Sequence, residues 1–120
     1  MNTRFLTESK NSSRPQKPPM FVRKMKGVSV VKGQTARFEV RVSGNPTPSV
    51  TWHKNGVELA IDGRKYSVET MTEEDRWVLV ICGCTEADKA EYACTAASSL
   101  GKITSRSRLD VEPTRLAGAE

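Results

Sequence analysis

The chain has 120 residues, of which 37% are hydrophobic, and it carries a net charge of +5. This is enough for one domain with a real core. No apolar stretch approaches the roughly 18–20 residues of a membrane span, and the N-terminal stretch lacks the apolar run of a signal peptide. We therefore expect no membrane segment and a chain that stays inside the cell.

The net charge is concentrated at the N-terminus. Residues 1–18 hold four basic side chains and one acidic one, whereas residues 19–113 hold fourteen and twelve. The first segment has too few apolar groups to offset the entropy of ordering, so residues 1–18 are predicted to be a disordered basic leader. Residues 114–120 are predicted to be a second linker. Nucleic-acid binding is not expected, because the basic residues are not interspersed with aromatic residues on which bases could stack.

Five segments between these tails alternate apolar and polar residues with period two, which predicts half-buried β-strands. They are residues 35–42, 49–54, 76–81, 91–96 and 107–112. Turn-forming residues separate them, and Asn55-Gly56 is typical of a type I′ hairpin because both residues tolerate positive φ. Short strands at regular spacing, without a helical repeat, predict an all-β sandwich or barrel.

The residues that could carry chemistry do not form a recognisable site. Cys82-Gly83-Cys84 has the wrong spacing for zinc, and no second pair of ligands follows it. A catalytic pair of Cys94 and His53 is unfavourable, because the alternation turns Cys94 inward and His53 outward. We expect no metal, no other cofactor and no catalysis by this domain.

Taken in order, the strands resemble an immunoglobulin domain of the intermediate (I-set) type. The resemblance covers residues 18–112. The motifs that carry it are Gly-Asn-Pro-Thr-Pro at 44–48, Trp52, Asn55-Gly56, Leu79 and Ile81, the series Asp88, Tyr92 and Cys94, and Gly101. Among I-set domains, the chain is most similar to those of the muscle and cytoskeletal group, which includes titin, obscurin and the myosin light-chain kinase (telokin) module.

The resemblance implies a Greek-key β-sandwich of two antiparallel sheets over residues 19–113. In the family, a tryptophan such as Trp52 is buried between the sheets, and a tyrosine such as Tyr92 contacts the preceding loop. The inter-sheet disulfide is expected to be absent, because Val40 stands where the family has the cysteine that faces Cys94. The predicted structural core consists of Phe38, Val40, Trp52, Leu79, Ile81, Tyr92 and Cys94.

The three cysteines have no natural pairing in this arrangement. Cys84 and Cys94 are expected inside and Cys82 outside, so a bridge between any two of them is not expected. Unpaired thiols suit a reducing compartment. The sequence therefore predicts an intracellular domain.

A structural ion pair is implied at the loop before the strand of Tyr92. In the family, a carboxylate at the position of Asp88 commonly pairs with a basic residue at the start of the strand called D, which falls at residues 64 and 65 in this sequence. Arg64 is the predicted partner, and Lys65 is the alternative. The pair is interpreted as structural rather than catalytic.

A candidate partner-binding basic edge is predicted where the first and last strands of the family lie side by side. Open sheet edges can bind another protein, although basic residues there also serve simply to protect the edge. An acidic protein partner would suit this edge. The six residues are Arg23, Lys24, Lys26, Lys102, Arg106 and Arg108.

The resemblance implies a non-catalytic structural and protein-binding module of a larger cytoplasmic protein of the cytoskeleton or sarcomere, monomeric as an isolated domain. Parents in this group include proteins that also carry a kinase domain. The alternative is an extracellular adhesion or receptor domain, which shares the fold but normally has the disulfide and a secretory context.

Overall fold

The computed structural model describes residues 15–113 and contains nine β-strands. The strands are β1 (Lys17–Arg23), β2 (Val28–Val31), β3 (Ala36–Asn45), β4 (Ser49–Lys54), β5 (Val57–Glu58), β6 (Tyr66–Met71), β7 (Arg76–Ile81), β8 (Ala90–Ser98) and β9 (Gly101–Glu112). Two single-turn 3-10 helices, Thr72–Glu74 and Glu86–Asp88, are the only helical elements in this part of the chain.

The strands form two sheets that pack face to face. The four-stranded sheet has the order β1-β3-β7-β6, and the five-stranded sheet has the order β2-β9-β8-β4-β5. All neighbouring strands are antiparallel except β2 and β9, which are parallel. This two-sheet, all-β architecture confirms the predicted fold class.

All five predicted strands are present, and two of them have the predicted bounds, 49–54 and 76–81. β3 begins one residue later than predicted and ends three residues later, and β8 and β9 are extended. The largest extension is at β9, which begins at Gly101 rather than at 107. Lys17 and Pro18 were assigned to the leader but are the first residues of β1, because Lys17 pairs with Asn45 of β3. The rest of the leader, residues 1–14, and the second linker lie outside the described residues.

The β4–β5 turn has the conformation that its sequence predicts. Asn55 has φ of 51° and Gly56 has φ of 86°, and a type I′ turn needs positive φ at both central positions. The turn joins the antiparallel pair β4–β5. The interpretation of Asn55-Gly56 as a hairpin signal is confirmed.

One hydrophobic core fills the space between the sheets. The rings of Phe38 and Tyr92 pack across it with their centroids 5.3 Å apart and their planes inclined by 35°. Such tilted aromatic pairs contribute beyond the area that they bury. All seven residues of the predicted structural core are buried, together with Met25, Ala36, Val42, Trp77, Cys84, Ala90, Ala96, Leu109 and Val111.

The two ends of the described chain lie at opposite ends of the sandwich. At one end, a Cβ added to Gly101 would lie 3.8 Å from Pro18 Cβ, so β1 starts beside the start of β9. At the other end, Glu112 pairs with Val31 at the end of β9. Eleven residue steps of β-strand separate the two points, or about 36 Å.

Candidate functional site

The interior around Trp52 holds two of the three thiols without a bridge. Trp52 is 2% exposed and pairs in register with Cys94, which is fully buried. Cys82, Cys84 and Cys94 are all free, so the predicted absence of a disulfide is confirmed. Burial raises the pKa of Cys94 to about 12, and it also raises the pKa of Cys84. Both thiols are therefore protonated small hydrophobes rather than nucleophiles.

Tyr92 forms the corner contact that the resemblance implies. Its ring is fully buried, and its hydroxyl donates a hydrogen bond of 2.7 Å to the backbone oxygen of Asp88. A buried tyrosine needs such a partner for its hydroxyl. Burial raises its pKa above the ordinary range, so the hydroxyl stays a donor and fixes the loop before β8.

The structural ion pair forms with Lys65 and not with Arg64. Lys65 Nζ lies 2.7 Å from Asp88 Oδ2 and also donates to the backbone oxygens of Cys82 and Gly83, at 3.0 and 3.2 Å. Cys82 N donates to Lys65 O, which holds Lys65 against this loop. Arg64 is exposed. The prediction of Arg64 is therefore wrong, and the alternative residue makes the pair.

The position of Arg64 follows from a local turn. Asp62 Oδ1 accepts hydrogen bonds from the backbone N–H groups of Arg64 and Tyr66, at 2.8 and 3.2 Å. These bonds favour the ionised carboxylate and lower the pKa of Asp62. The turn leaves residue 64 in solvent and brings residue 65 to the sheet.

Asp88 is the one charged residue that is buried within the described part of the chain. Burial alone would raise its pKa, but the hydrogen bond from Lys65, the Thr85 N–H at 2.8 Å and the charge of Lys65 together outweigh burial. Its pKa is therefore lowered. The pair joins the start of β6 to the loop between β7 and β8, which is a structural role.

The described residues contain no group of three or more histidine, cysteine or acidic residues placed to hold a metal ion. His53 points away from Cys94, because His53 and Trp52 are consecutive on β4 and Trp52 faces the core with Cys94. The two residues of the conceivable catalytic pair are thus on opposite faces of the sheet. No helix in the same part of the chain is long and apolar enough to cross a membrane.

The six basic residues of the predicted edge are all exposed but lie on more than one element. Arg23 ends β1, and Lys24 and Lys26 lie in the link to β2, not on the first strand. This link runs along β9, since Met25 N donates to Ser105 Oγ at 3.1 Å. Lys24 and Lys26 therefore lie near Arg106 and Arg108.

The outer face of the four-stranded sheet neutralises its own charges. Arg37 contacts Glu69 at 3.0 Å, and Arg76 contacts Glu39 at 3.5 Å and also pairs with Glu74. Further ion pairing joins Arg41 to Glu74. Three arginines thus meet three glutamates on this face.

Two apolar residues lie beneath these ion pairs. Val78 and Val80 are 5% and 6% exposed, although they alternate with the core residues of β7. Val78 pairs with Glu39 and Glu69, and Val80 pairs with Arg37. Because long charged side chains pack their aliphatic stems on apolar surface, we attribute the burial of both valines to these neighbours.

The outer face of the five-stranded sheet has a different composition. Its central strand β8 presents small residues, Ala93, Thr95 and Ala97, which pair with Arg106, Thr104 and Lys102 of β9. On the other side they pair with His53, Thr51 and Ser49 of β4. A shallow depression of about 590 Å³ covers part of this surface.

The sequence predicts Arg106 and Lys102 at an edge and gives no indication of this depression. The signal was available in the segment 91–96, whose outward positions Ala93 and Thr95 are small. The neighbours of those positions become known only from the pairing of β8 with β4 and β9. We call the surface formed by Ser49, Thr51, His53, Ala93, Thr95, Ala97, Lys102, Thr104 and Arg106 the β8 face.

A sandwich with a tryptophan buried between two sheets and a tyrosine bonded to the loop before its strand defines the immunoglobulin class of domains. The model of the immunoglobulin I-set domain family matches residues 19–111. The chain belongs to this family.

Two curated relatives are muscle proteins. The chain is 39% identical over 84 residues to the "Muscle M-line assembly protein unc-89" of Caenorhabditis elegans, a match that covers 70% of this chain and 1% of that protein. It is 32% identical over 99 residues to the smooth-muscle myosin light chain kinase of Gallus gallus, which covers 82% and 5%. The chain therefore spans only a small part of either relative.

Solved titin structures have the same fold. The titin M3 domain superposes with a TM-score of 0.75 and 31% identity, covering 80% of this chain and 98% of that one. A chain of the complex between titin M10 and obscurin-like 1 gives a TM-score of 0.76 and 27% identity, covering 83% and 99%. The chain is an immunoglobulin module similar to those of muscle proteins.

Proposed function

We propose that this chain is a non-catalytic, load-bearing and protein-binding module of a larger intracellular protein of the cytoskeleton or sarcomere. The observation that carries the proposal is the I-set fold shared with muscle proteins, together with its three free thiols. A titin domain of this fold occurs in a complex with obscurin-like 1, which supports a role in binding protein partners.

The strand arrangement suits a domain that is pulled from its two ends. The described chain enters and leaves at opposite ends of the sandwich. β2 follows β1 in the N-terminal part of the chain, and β9 ends the described chain. The two strands are parallel neighbours that pair from Val28↔Leu109 to Val31↔Glu112. Pulling the ends apart loads these hydrogen bonds together in shear, so that they resist force collectively.

The free thiols support the proposal that the domain functions in a reducing compartment. Without a disulfide, resistance to force depends on the strand ladders and the packed interior around Trp52. The basic edge, with Arg23, Lys24 and Lys26 next to β9, supplies a surface for an acidic partner.

Force spectroscopy on tandem copies of the chain tests the load-bearing role. Val30→Pro interrupts the β2–β9 ladder, so we expect a clear fall in the unfolding force. Thr70→Pro on β6, an edge strand away from both ends of the chain, is the matched control and should leave the force nearly unchanged. Equal forces for Val30→Pro and the unmodified chain would contradict the proposal.

The intracellular assignment has a separate test. Protein purified from its native tissue, denatured without reductant and alkylated, should show three modified thiols by intact mass. A single modified thiol would mean that two cysteines are bridged, and it would favour the extracellular alternative. Localisation of the tagged full-length parent gives a second measurement.

A further inference from the structure

We propose that the β8 face binds an extended acidic segment of a partner protein, which lies along β8 between β4 and β9. The proposal rests on the protein-binding role proposed above and assigns that role to a sheet face, which shares Lys102 and Arg106 with the basic edge but not Arg23, Lys24, Lys26 and Arg108. Charge, shape and spacing of the described residues support it independently.

The β8 face has cations without counter-charges. Lys102 and Arg106 are exposed, and within residues 15–113 neither lies within 4.0 Å of a carboxylate oxygen. None of the nine residues that define the face is acidic, but two carboxylates lie at its His53 end. Glu91 also lines the depression and pairs in register with Arg108, and Glu58 pairs in register with His53. Neither contacts Lys102 or Arg106, so these two cations remain available to carboxylates from another molecule.

The shape of the face fits an extended chain. Ala93, Thr95 and Ala97 form a low floor, and the longer side chains of His53 and Arg106 stand on either side of Ala93. The two flanking strands are two interstrand spacings apart, about 10 Å. An α-helix with its side chains has a diameter of about 10–12 Å and would be held above the floor. A single extended segment can lie within the depression.

The cations are spaced for acidic residues at regular intervals. Lys102 and Arg106 are four residues apart on β9, about 13 Å. An extended segment that runs beside β9 has the same rise per residue, so acidic side chains at positions i and i+4 reach both cations. The carboxylate nearest Arg106 also lies opposite His53, because His53, Ala93 and Arg106 share one register row.

The opposite face of the sandwich offers no comparable surface. Its arginines Arg37, Arg41 and Arg76 already contact glutamates. An acidic segment there would have to replace contacts that the domain makes within itself. Charge complementarity therefore favours the β8 face.

The test uses the full 120-residue chain and a synthetic 12-residue peptide with glutamate at every fourth position and serine and threonine between. A peptide with glutamine in place of glutamate is the control ligand. Isotope-labelled chain titrated with the glutamate peptide should show amide shifts in 93–97 and 102–106, and little change in 78–80. The glutamine peptide should give no saturable shift.

Two variants with the same change of charge separate the β8 face from the part of the basic edge that lies outside it, at Arg23 and Lys24. The double substitution Lys102→Glu with Arg106→Glu should weaken binding at least about tenfold, by loss of attraction and added repulsion. The matched control, Arg23→Glu with Lys24→Glu, should change it less than about twofold. Ala93→Tyr fills the depression without a change of charge and should also weaken binding.

The outcomes are distinguishable. Equal loss of binding in both double variants, or loss in the edge variant alone, would overturn the β8 face and leave the protein-binding role at the edge intact. Amide shifts confined to strands other than β4, β8 and β9, or equal binding of a peptide with the same glutamates placed consecutively, would also overturn it. If a single-stranded RNA or phosphatidylserine vesicles bind more tightly than the peptide, the proposed acidic protein segment is wrong and the ligand is another polyanion. The force measurement on Val30→Pro remains an independent test of the proposed function.

Discussion

The two outer faces of the sandwich use charge in opposite ways. On the four-stranded sheet, arginines and glutamates contact one another and cover Val78 and Val80. On the five-stranded sheet, Lys102 and Arg106 flank small residues and have no partner among the described residues. The first arrangement contributes to the folded state, whereas the second leaves charge available to another molecule.

The two faces both carry cations, but they differ in whether those cations are paired. Both faces have a central strand, β7 or β8, and both carry exposed cations. The difference is whether the neighbouring strands supply carboxylates at matching register positions. β3 and β6 do so for β7 with Glu39 and Glu69, while β4 and the facing part of β9 supply hydroxyls to β8.

The largest expected effect comes from the interior that both faces share. Trp52→Ala leaves a large cavity between the sheets and should lower the free energy of unfolding by about 3–5 kcal/mol. Chemical denaturation followed by tyrosine and Trp77 fluorescence measures the change. A loss below about 1 kcal/mol would mean that the two faces do not depend on one core.

A matched pair of substitutions compares the faces directly. Val80→Asp places a carboxylate under the ion pairs of β7 and should cost about 2–4 kcal/mol. Ala93→Asp occupies the corresponding outward position on β8, where Arg106 and His53 flank it, so its cost should stay below about 1 kcal/mol. Thermal and urea denaturation measure the loss of stability in both variants. Equal losses would contradict the proposed difference between the two faces.

A third use of charge, the buried pair of Asp88 and Lys65, predicts a pH dependence. Asp88→Asn should cost about 1–3 kcal/mol at neutral pH, because the carboxylate accepts bonds from Lys65 and Thr85. The folded-state pKa of Asp88 is lowered. The stabilisation is therefore fully present above the unfolded value of about 3.9 and is lost as the pH falls through the lower folded value.

Urea denaturation of both proteins from neutral to acid pH measures this dependence. The difference in unfolding free energy between the native chain and Asp88→Asn should shrink below about pH 4. Lys65→Met should also destabilise the domain, whereas Arg64→Met should have little effect. A greater effect at Arg64 would contradict the observed pairing.

The smallest expected effect concerns single arginines on the two faces. Arg76→Ala removes contacts to Glu39 and Glu74 and uncovers Val78, so its thermal midpoint should fall. Arg106→Ala removes no ion pair among the described residues and should leave the midpoint unchanged. Raising the salt concentration should reduce the difference, because exposed ion pairs are screened. A lower thermal midpoint for Arg106→Ala than for Arg76→Ala would contradict the prediction that the paired arginine contributes more to stability.

Much of the fold could be predicted from local patterns. Alternation located β4 and β7 by their bounds, and Asn55-Gly56 located a turn whose φ angles agree with it. The short strands β2 and β5 have too few residues for alternation to be recognised. The burial of Val78 and Val80 also could not be predicted, because their cover comes from β3 and β6, which are distant in sequence.

The candidate site was predictable only in part. The sequence predicted that Lys102 and Arg106 belong to a basic edge, and the structure has both exposed. It did not show that small residues of β8 lie between them and His53, since that depends on register. Arg64 and Lys65 are adjacent, and the choice between them was made by the turn at Asp62.

The sequence by itself determined an all-β domain of short strands, because side-chain periodicity acts over a few neighbouring positions. The resemblance of its motifs to the I-set family added the two-sheet architecture, the buried Trp52 and Tyr92, and Val40 in place of a cysteine opposite Cys94. Only the tertiary structure decided which charges are paired and which are free. Ion pairing falls off over a few ångströms, and those distances are set by strands that are far apart along the chain.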